Sequence, residues 1–82
     1  MYKKTGDLMT EYSISRATTY RIIKEMQSLG RYPASAIIGD SRRRRVDEDA
    51  FRDYWENMEQ LRHPNMRKYV KPYRKEQKRN AQ

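Results

Sequence analysis

The sequence predicts a small, mainly α-helical domain with a two-stranded β-hairpin, and three observations carry that reading. Two stretches with helical apolar spacing are separated only by Ser13, Ile14 and Ser15. The periodicity then changes, across Pro33 and the turn-forming Gly39-Asp40-Ser41, to short extended runs. A third amphipathic stretch follows, opened by Asp47 and closed by His63-Pro64. A chain of 82 residues has room for one such domain, not two.

The first helix is expected over Thr5–Tyr12, with Thr5 as its N-cap, because Leu8, Met9 and Tyr12 form one apolar stripe. The second is expected over Arg16–Leu29. Ser15 supplies an oxygen for the open amides of its first turn, and Gly30 supplies the left-handed residue that commonly ends a helix. Thr18, Ile22, Met26 and Leu29, widened by Ile23, are the side expected to face the core. Arg16, Ala17, Tyr20, Arg21 and Lys24 occupy the opposite side, with Thr19 at the border. Periodicity alone favours an ordinary helical hairpin. The short connection, with Ile14 as a buried pivot, is the sequence form of a helix-turn-helix.

Beyond Pro33, Ala36-Ile37-Ile38 and residues 42–46 read as two strands of a hairpin whose tip and returning strand are rich in arginine. Strand alternation would put Arg43 and Arg45 on one side, and Arg42 and Arg44 on the side of Val46. Asp47 then caps a helix over Glu48–Leu61, with acids in its first turn where the dipole favours them. Val46, Ala50, Phe51, Tyr54, Trp55, Met58 and Leu61 form its inward stripe. Helix, tight turn, helix, arginine hairpin, helix is the order of a winged helix-turn-helix. It occupies residues 1–63. Residues 64–82 form a basic tail without sustained apolar period, expected to be flexible, in which Tyr69, Val70 and Tyr73 are the residues able to fold back.

Charge is strongly segregated along the chain. The total is +8, yet residues 1–61 carry a net +1 and residues 62–82 a net +7. Residues 47–61 alone carry a net −5, directly after Arg42-Arg43-Arg44-Arg45. A polyanion is drawn to the basic zones and kept off the acidic helix, which makes nucleic acid the first candidate partner.

Several classes are excluded or disfavoured. The absence of cysteine removes disulfides, thiolate metal sites and thiol catalysis. No apolar run approaches a membrane span, and Met1-Tyr2-Lys3-Lys4 lacks the apolar segment of a signal peptide, so a cytoplasmic location is expected. Asp49, Asp53 and Glu56 share a helix face and invite a metal reading. The outer side of an amphipathic helix explains them better. His63, the lone histidine, is explained by helix termination. With no glycine-rich phosphate loop and no nucleophile–base pairing, neither an enzyme, a cofactor nor a small-molecule substrate is expected.

The run Ile14-Ser15-Arg16-Ala17-Thr18-Thr19-Tyr20-Arg21-Ile22-Ile23 resembles the turn and second helix of phage and transposon excisionases, part of a wider winged-helix group that includes the mercury-resistance regulators. Arg45-Val46-Asp47, followed by Ala50-Phe51, resembles that group's return from wing to third helix. Ser13 stands where the family usually has glycine, and Met9 where a small residue is common. The resemblance covers roughly residues 5–61. It implies a non-enzymatic protein that binds and bends double-stranded DNA at repeated sites, contacts neighbouring copies of itself, and assists an integrase or recombinase. The same module serves transcriptional regulators and accessory factors of plasmid replication or transfer. An RNA-binding protein drawn by charge alone is the alternative from another class, although the hairpin lacks the exposed aromatics that RNA stacking uses.

On this reading Arg16, Ala17, Thr19, Tyr20, Arg21 and Lys24 form the recognition surface, with arginine suited to guanine edges and Lys24 to phosphate. Arg42, Arg43, Arg44 and Arg45 form a wing that enters a minor groove. Arg67, Lys68, Lys71 and Arg74 are candidate phosphate contacts in the tail.

Overall fold

A computed structural model describes residues 1–40 and 42–73. Its elements are β1 (Tyr2–Lys4), α1 (Thr5–Tyr12), α2 (Arg16–Leu29), β2 (Ile37–Ile38), β3 (Arg45–Asp47) and α3 (Glu48–Leu61), with 3-10 turns at Ala34–Ala36 and Arg67–Tyr69. The architecture is mainly helical, with a small antiparallel sheet in the order β1-β3-β2.

Local chemistry explains the helix boundaries. Ser13 adopts the left-handed conformation (φ 54°, ψ 48°), and its amide and that of Ile14 turn back to the carbonyls of Thr10 and Met9 at 3.3 and 3.0 Å. Ser15 Oγ accepts from the Thr18 amide at 3.1 Å, which opens α2, and Gly30 at φ 68° closes it. Asp47 Oδ1 accepts from the Asp49 amide at 3.0 Å and opens α3. At α1 the expected cap is corrected by one residue. Lys4 holds the cap position, its amide donating to the Asp7 carboxylate at 3.4 Å, and Thr5 is already helical.

The sheet has one strand more than the sequence implies. Tyr2-Lys3-Lys4 has no apolar alternation, and the open edge of β3 is what makes it extended. Tyr2, Lys3 and Lys4 lie opposite Asp47, Val46 and Arg45. The Glu48 amide donates to the Met1 carbonyl at 2.8 Å, and Lys3 Nζ lies 3.5 Å from Glu11 and 4.0 Å from Glu48. The start of the chain is thereby fastened to the start of α3.

β2 and β3 pair antiparallel, Ile37 opposite Val46 and Ile38 opposite Arg45, but both are shorter than expected. Ala36 belongs to a 3-10 turn, and residues 42–44 lie outside any strand. Two features turn this stretch away from extension. Gly39 has φ 83°, and a Cβ there would stand 2.3 Å from the Arg43 carbonyl oxygen. Asp40 Oδ1 then accepts from the amides of Arg42 and Arg43, both at 3.0 Å. The expected alternation of arginines across a strand therefore does not form.

The core gathers Leu8 from α1, Ile22, Ile23 and Met26 from α2, Val46 from β3, and Ala50, Phe51, Tyr54 and Leu61 from α3. Tyr12 leans between two aromatics of α3, its ring centroid 4.9 Å from Phe51 and 5.0 Å from Trp55. Ile14, Trp55 and Met58 pack on this core half-buried. Val70 and Tyr73 also return to it, Tyr73 meeting Tyr32 edge-on at 5.0 Å.

Polar ties fix α3 in place. Arg31 Nε and Nη2 donate to Asp53 at 2.9 and 3.2 Å, and the Tyr32 hydroxyl donates to the same carboxylate at 2.8 Å. Asp53 is thus an inward tether at the end of α2, not part of the solvated outer face expected of it. Burial would lower the Arg31 pKa, but the hydrogen bond and charge of Asp53 outweigh it and raise it. Burial, with the bond to Asp53, also raises the Tyr32 phenol. A second tie joins the middle of α2 to α3. The Tyr54 hydroxyl donates to the Glu25 carboxylate, and Arg62 Nε donates to it at 3.0 Å. Burial and then the Glu25 bond push the Tyr54 phenol up to about 12.

Candidate nucleic-acid interface

The tight turn sets which side of α2 meets solvent. With Ser15 fixed as cap, the buried positions are Thr19, Ile22, Ile23 and Met26, and the helix phase is rotated slightly from the one expected. Thr19 is fully buried, and its hydroxyl donates to the Ser15 carbonyl at 2.9 Å. It is therefore removed from the recognition surface. Thr18, expected inside, is only half-buried and accepts from the Ser15 hydroxyl at 3.0 Å. Tyr20 is half-buried against the core, so its ring is partly committed to packing. Arg16, Ala17, Arg21 and Lys24 are exposed as expected.

The arginine run divides in two. Arg42 and Arg43 are exposed beyond the Asp40 turn. Arg44 and Arg45 are half-buried, and Arg45 sits in the central strand opposite both Lys4 and Ile38. Arg45 Nη1 donates to the Arg44 carbonyl at 3.2 Å. The Nε of Arg44 is covered yet has no hydrogen-bond partner among the described residues.

Ion pairing separates the cations into two populations. Lys3, Arg31, Arg52 and Arg62 are each within 4.0 Å of an internal carboxylate. Among the described residues, Arg16, Arg21, Lys24, Arg42, Arg43, Arg44 and Arg45 make no such pair. The unneutralised cations thus include the exposed basic side of α2 and the whole arginine run.

In the tail, Arg67 is exposed, and its Nε donates to the Leu61 carbonyl at 2.8 Å, closing α3. Lys68 stands 5.5 Å from the Tyr69 ring centroid, and Lys71 is exposed. Arg74 lies outside the described residues.

Two contributors went unseen in the sequence. Asp40, an acid in a basic loop, shapes that loop through the amides of Arg42 and Arg43; its position after Gly39 is the signal that identifies the turn. Arg62, at the end of an acidic helix, faces Glu25 of α2, a contact that no local spacing announces. Among the described residues no helix is long and apolar enough to cross a membrane, and no three acidic or histidine side chains gather as a metal site. Comparison with protein-family models, curated proteins and solved structures gives no match to the chain.

Proposed function

We propose that this chain is a cytoplasmic, sequence-specific double-stranded DNA-binding protein of winged helix-turn-helix type, serving a mobile element as an excisionase that bends DNA and assists an integrase. One observation carries the DNA reading. Among the described residues, the cations of the α2 face and of the arginine run have no internal carboxylate, whereas Lys3, Arg31, Arg52 and Arg62 are paired. Collecting like charges without counter-charges is unfavourable in the free protein and favourable against a polyanion, which releases its own counterions on binding.

In this mechanism the first turns of α2 enter the major groove. Arg16 and Arg21 reach guanine edges, Ala17 allows close approach, and Lys24 takes a phosphate. The loop at residues 42–45 follows a minor groove, where negative potential is strongest. A single module of this size covers few base pairs, so adjacent copies supply the rest of the footprint. The excisionase assignment rests on the residues of the turn and of α2 that resemble that family.

Selection of bound sequences from a random duplex pool, followed by binding of the Arg16→Ala and Arg21→Ala variants, tests the reading. A defined motif should emerge, and each substitution should cost about 1–3 kcal/mol on that motif and less on random duplex. Equal losses on both would leave these residues as phosphate contacts. Failure to enrich any motif would remove sequence-specific binding. An excision assay with an integrase and its attachment sites tests the finer assignment, and excision unchanged by the protein would overturn it.

A further inference from the structure

The C-terminal half of α2 and the end of α3 enclose a cleft of about 370 Å³, lined by Arg21, Lys24, Glu25, Tyr54, Arg62 and Arg67 among others. Cations that are far apart in sequence are brought together here. Arg21 and Lys24 arrive from α2, Arg62 from the end of α3 and Arg67 from the turn beyond it. Glu25 is the one carboxylate among the described residues of the lining, and the Tyr54 hydroxyl and Arg62 already engage it. Its charge is therefore matched at the cleft base and leaves Arg21 and Lys24 without an ion pair among the described residues. Arg67 is oriented through Nε on the Leu61 carbonyl, with its terminal nitrogens not used in that bond.

We infer that this cleft is a second seat for the DNA phosphate backbone, with Arg67 and the terminal nitrogens of Arg62, outside its Nε bond to Glu25, acting beside Lys24 on phosphates that flank the groove entered by α2. The inference rests on the DNA-binding reading and adds contacts outside the helix and the loop. Guanidinium groups form charge-assisted bonds to phosphate oxygens, and such contacts fix the register of a protein on a duplex without reading bases. Sharing Arg21 and Lys24 between the cleft and the exposed side of α2 makes the two surfaces continuous. A backbone leaving one reaches the other. Glu25 and Tyr54 are positioning residues: they hold Arg62 at the cleft and do not themselves meet DNA.

Salt titrations of duplex binding and phosphate-ethylation interference, made on the full chain and on Arg62→Ala, Arg62→Lys and Lys24→Ala, test this. Arg62→Ala should lower the log–log salt slope by about 0.9 per lost phosphate and erase interference at one or two backbone positions. The order of preferred sequences should stay unchanged. Arg62→Lys keeps the charge and should keep the slope. Lys24→Ala changes an exposed residue and should remove a neighbouring interference position without disturbing the fold. Duplex binding by the wild type, with slope and interference unaltered in Arg62→Ala, would overturn the cleft inference and leave DNA binding standing. Absence of duplex binding by the wild type would overturn both.

Discussion

Asp53 shows how much one side chain governs here. Its carboxylate receives two nitrogens of Arg31 and the hydroxyl of Tyr32, with side-chain exposures of only 12% for Arg31 and 21% for Asp53. Asp53→Ala would leave a half-buried guanidinium and a phenol without their acceptor, and the expected loss is about 2–4 kcal/mol in urea denaturation. Glu56→Ala, an exposed position on the same helix, should stay within about 0.5 kcal/mol of wild type. Equal effects from the two would contradict the tether. Pattern reading gave both acids the same solvated role, because Arg31 is 22 residues away and invisible to helical spacing. Tyr54 adds a pH dependence. A phenol held up at about 12 in the folded chain, against 10.0 for the free side chain, keeps its proton after the unfolded chain has lost it. Its stabilisation is complete below pH 10 and is lost as pH rises towards 12. Tyr54→Phe should flatten the fall in thermal stability over that window. A fall as steep as in wild type would assign the alkaline loss elsewhere.

At the scale of elements, the turn between α1 and α2 is the part under strain. Ser13 occupies left-handed space, which costs a residue with a Cβ about 1–2 kcal/mol, whereas glycine enters it freely at some cost in unfolded-chain entropy. Ser13→Gly should therefore raise stability by roughly 0.5–1 kcal/mol, read as a higher urea midpoint with an unchanged m value. A lower midpoint would contradict it. The helix boundaries were legible because their determinants are local: Ser15, Gly30 and Asp47 each sit within a turn of the end they define. The phase of α2 was less so, since Thr18 and Thr19 are about 100° apart and both flank the apolar stripe. The cap decided it, burying Thr19. β1 was not legible at all. Its three residues become a strand only against β3, more than forty residues later, and a charged tripeptide carries no period-two signal of that pairing. The Asp40 turn likewise replaced an expected strand, because hydrogen bonds from the Arg42 and Arg43 amides compete with a ladder.

For the whole molecule, electrostatic layout is the dominant feature. Paired cations fasten elements together: Lys3 links β1 to α1 and α3, Arg31 links the end of α2 to α3, and Arg62 links α3 back to α2. Cations without an ion pair among the described residues include those on the α2 face and along residues 42–45. Composition disclosed the excess of positive charge, but only the folded chain sorts which cations meet an internal carboxylate. That sorting can be read directly in solution. Salt titration combined with footprinting should be made on wild type, on Arg16→Ala/Arg21→Ala, and on a variant with alanine at residues 42–45. DNA docking through both surfaces predicts three distinct outcomes. Wild type gives a bounded footprint and a steep salt slope. The α2 variant loses sequence preference, while the loop variant keeps its major-groove contacts and loses protection and bend at one minor-groove position. A wild-type footprint, bend and affinity in the loop variant would contradict the DNA-wing role of residues 42–45, and undiminished sequence preference in the α2 variant would contradict recognition by α2.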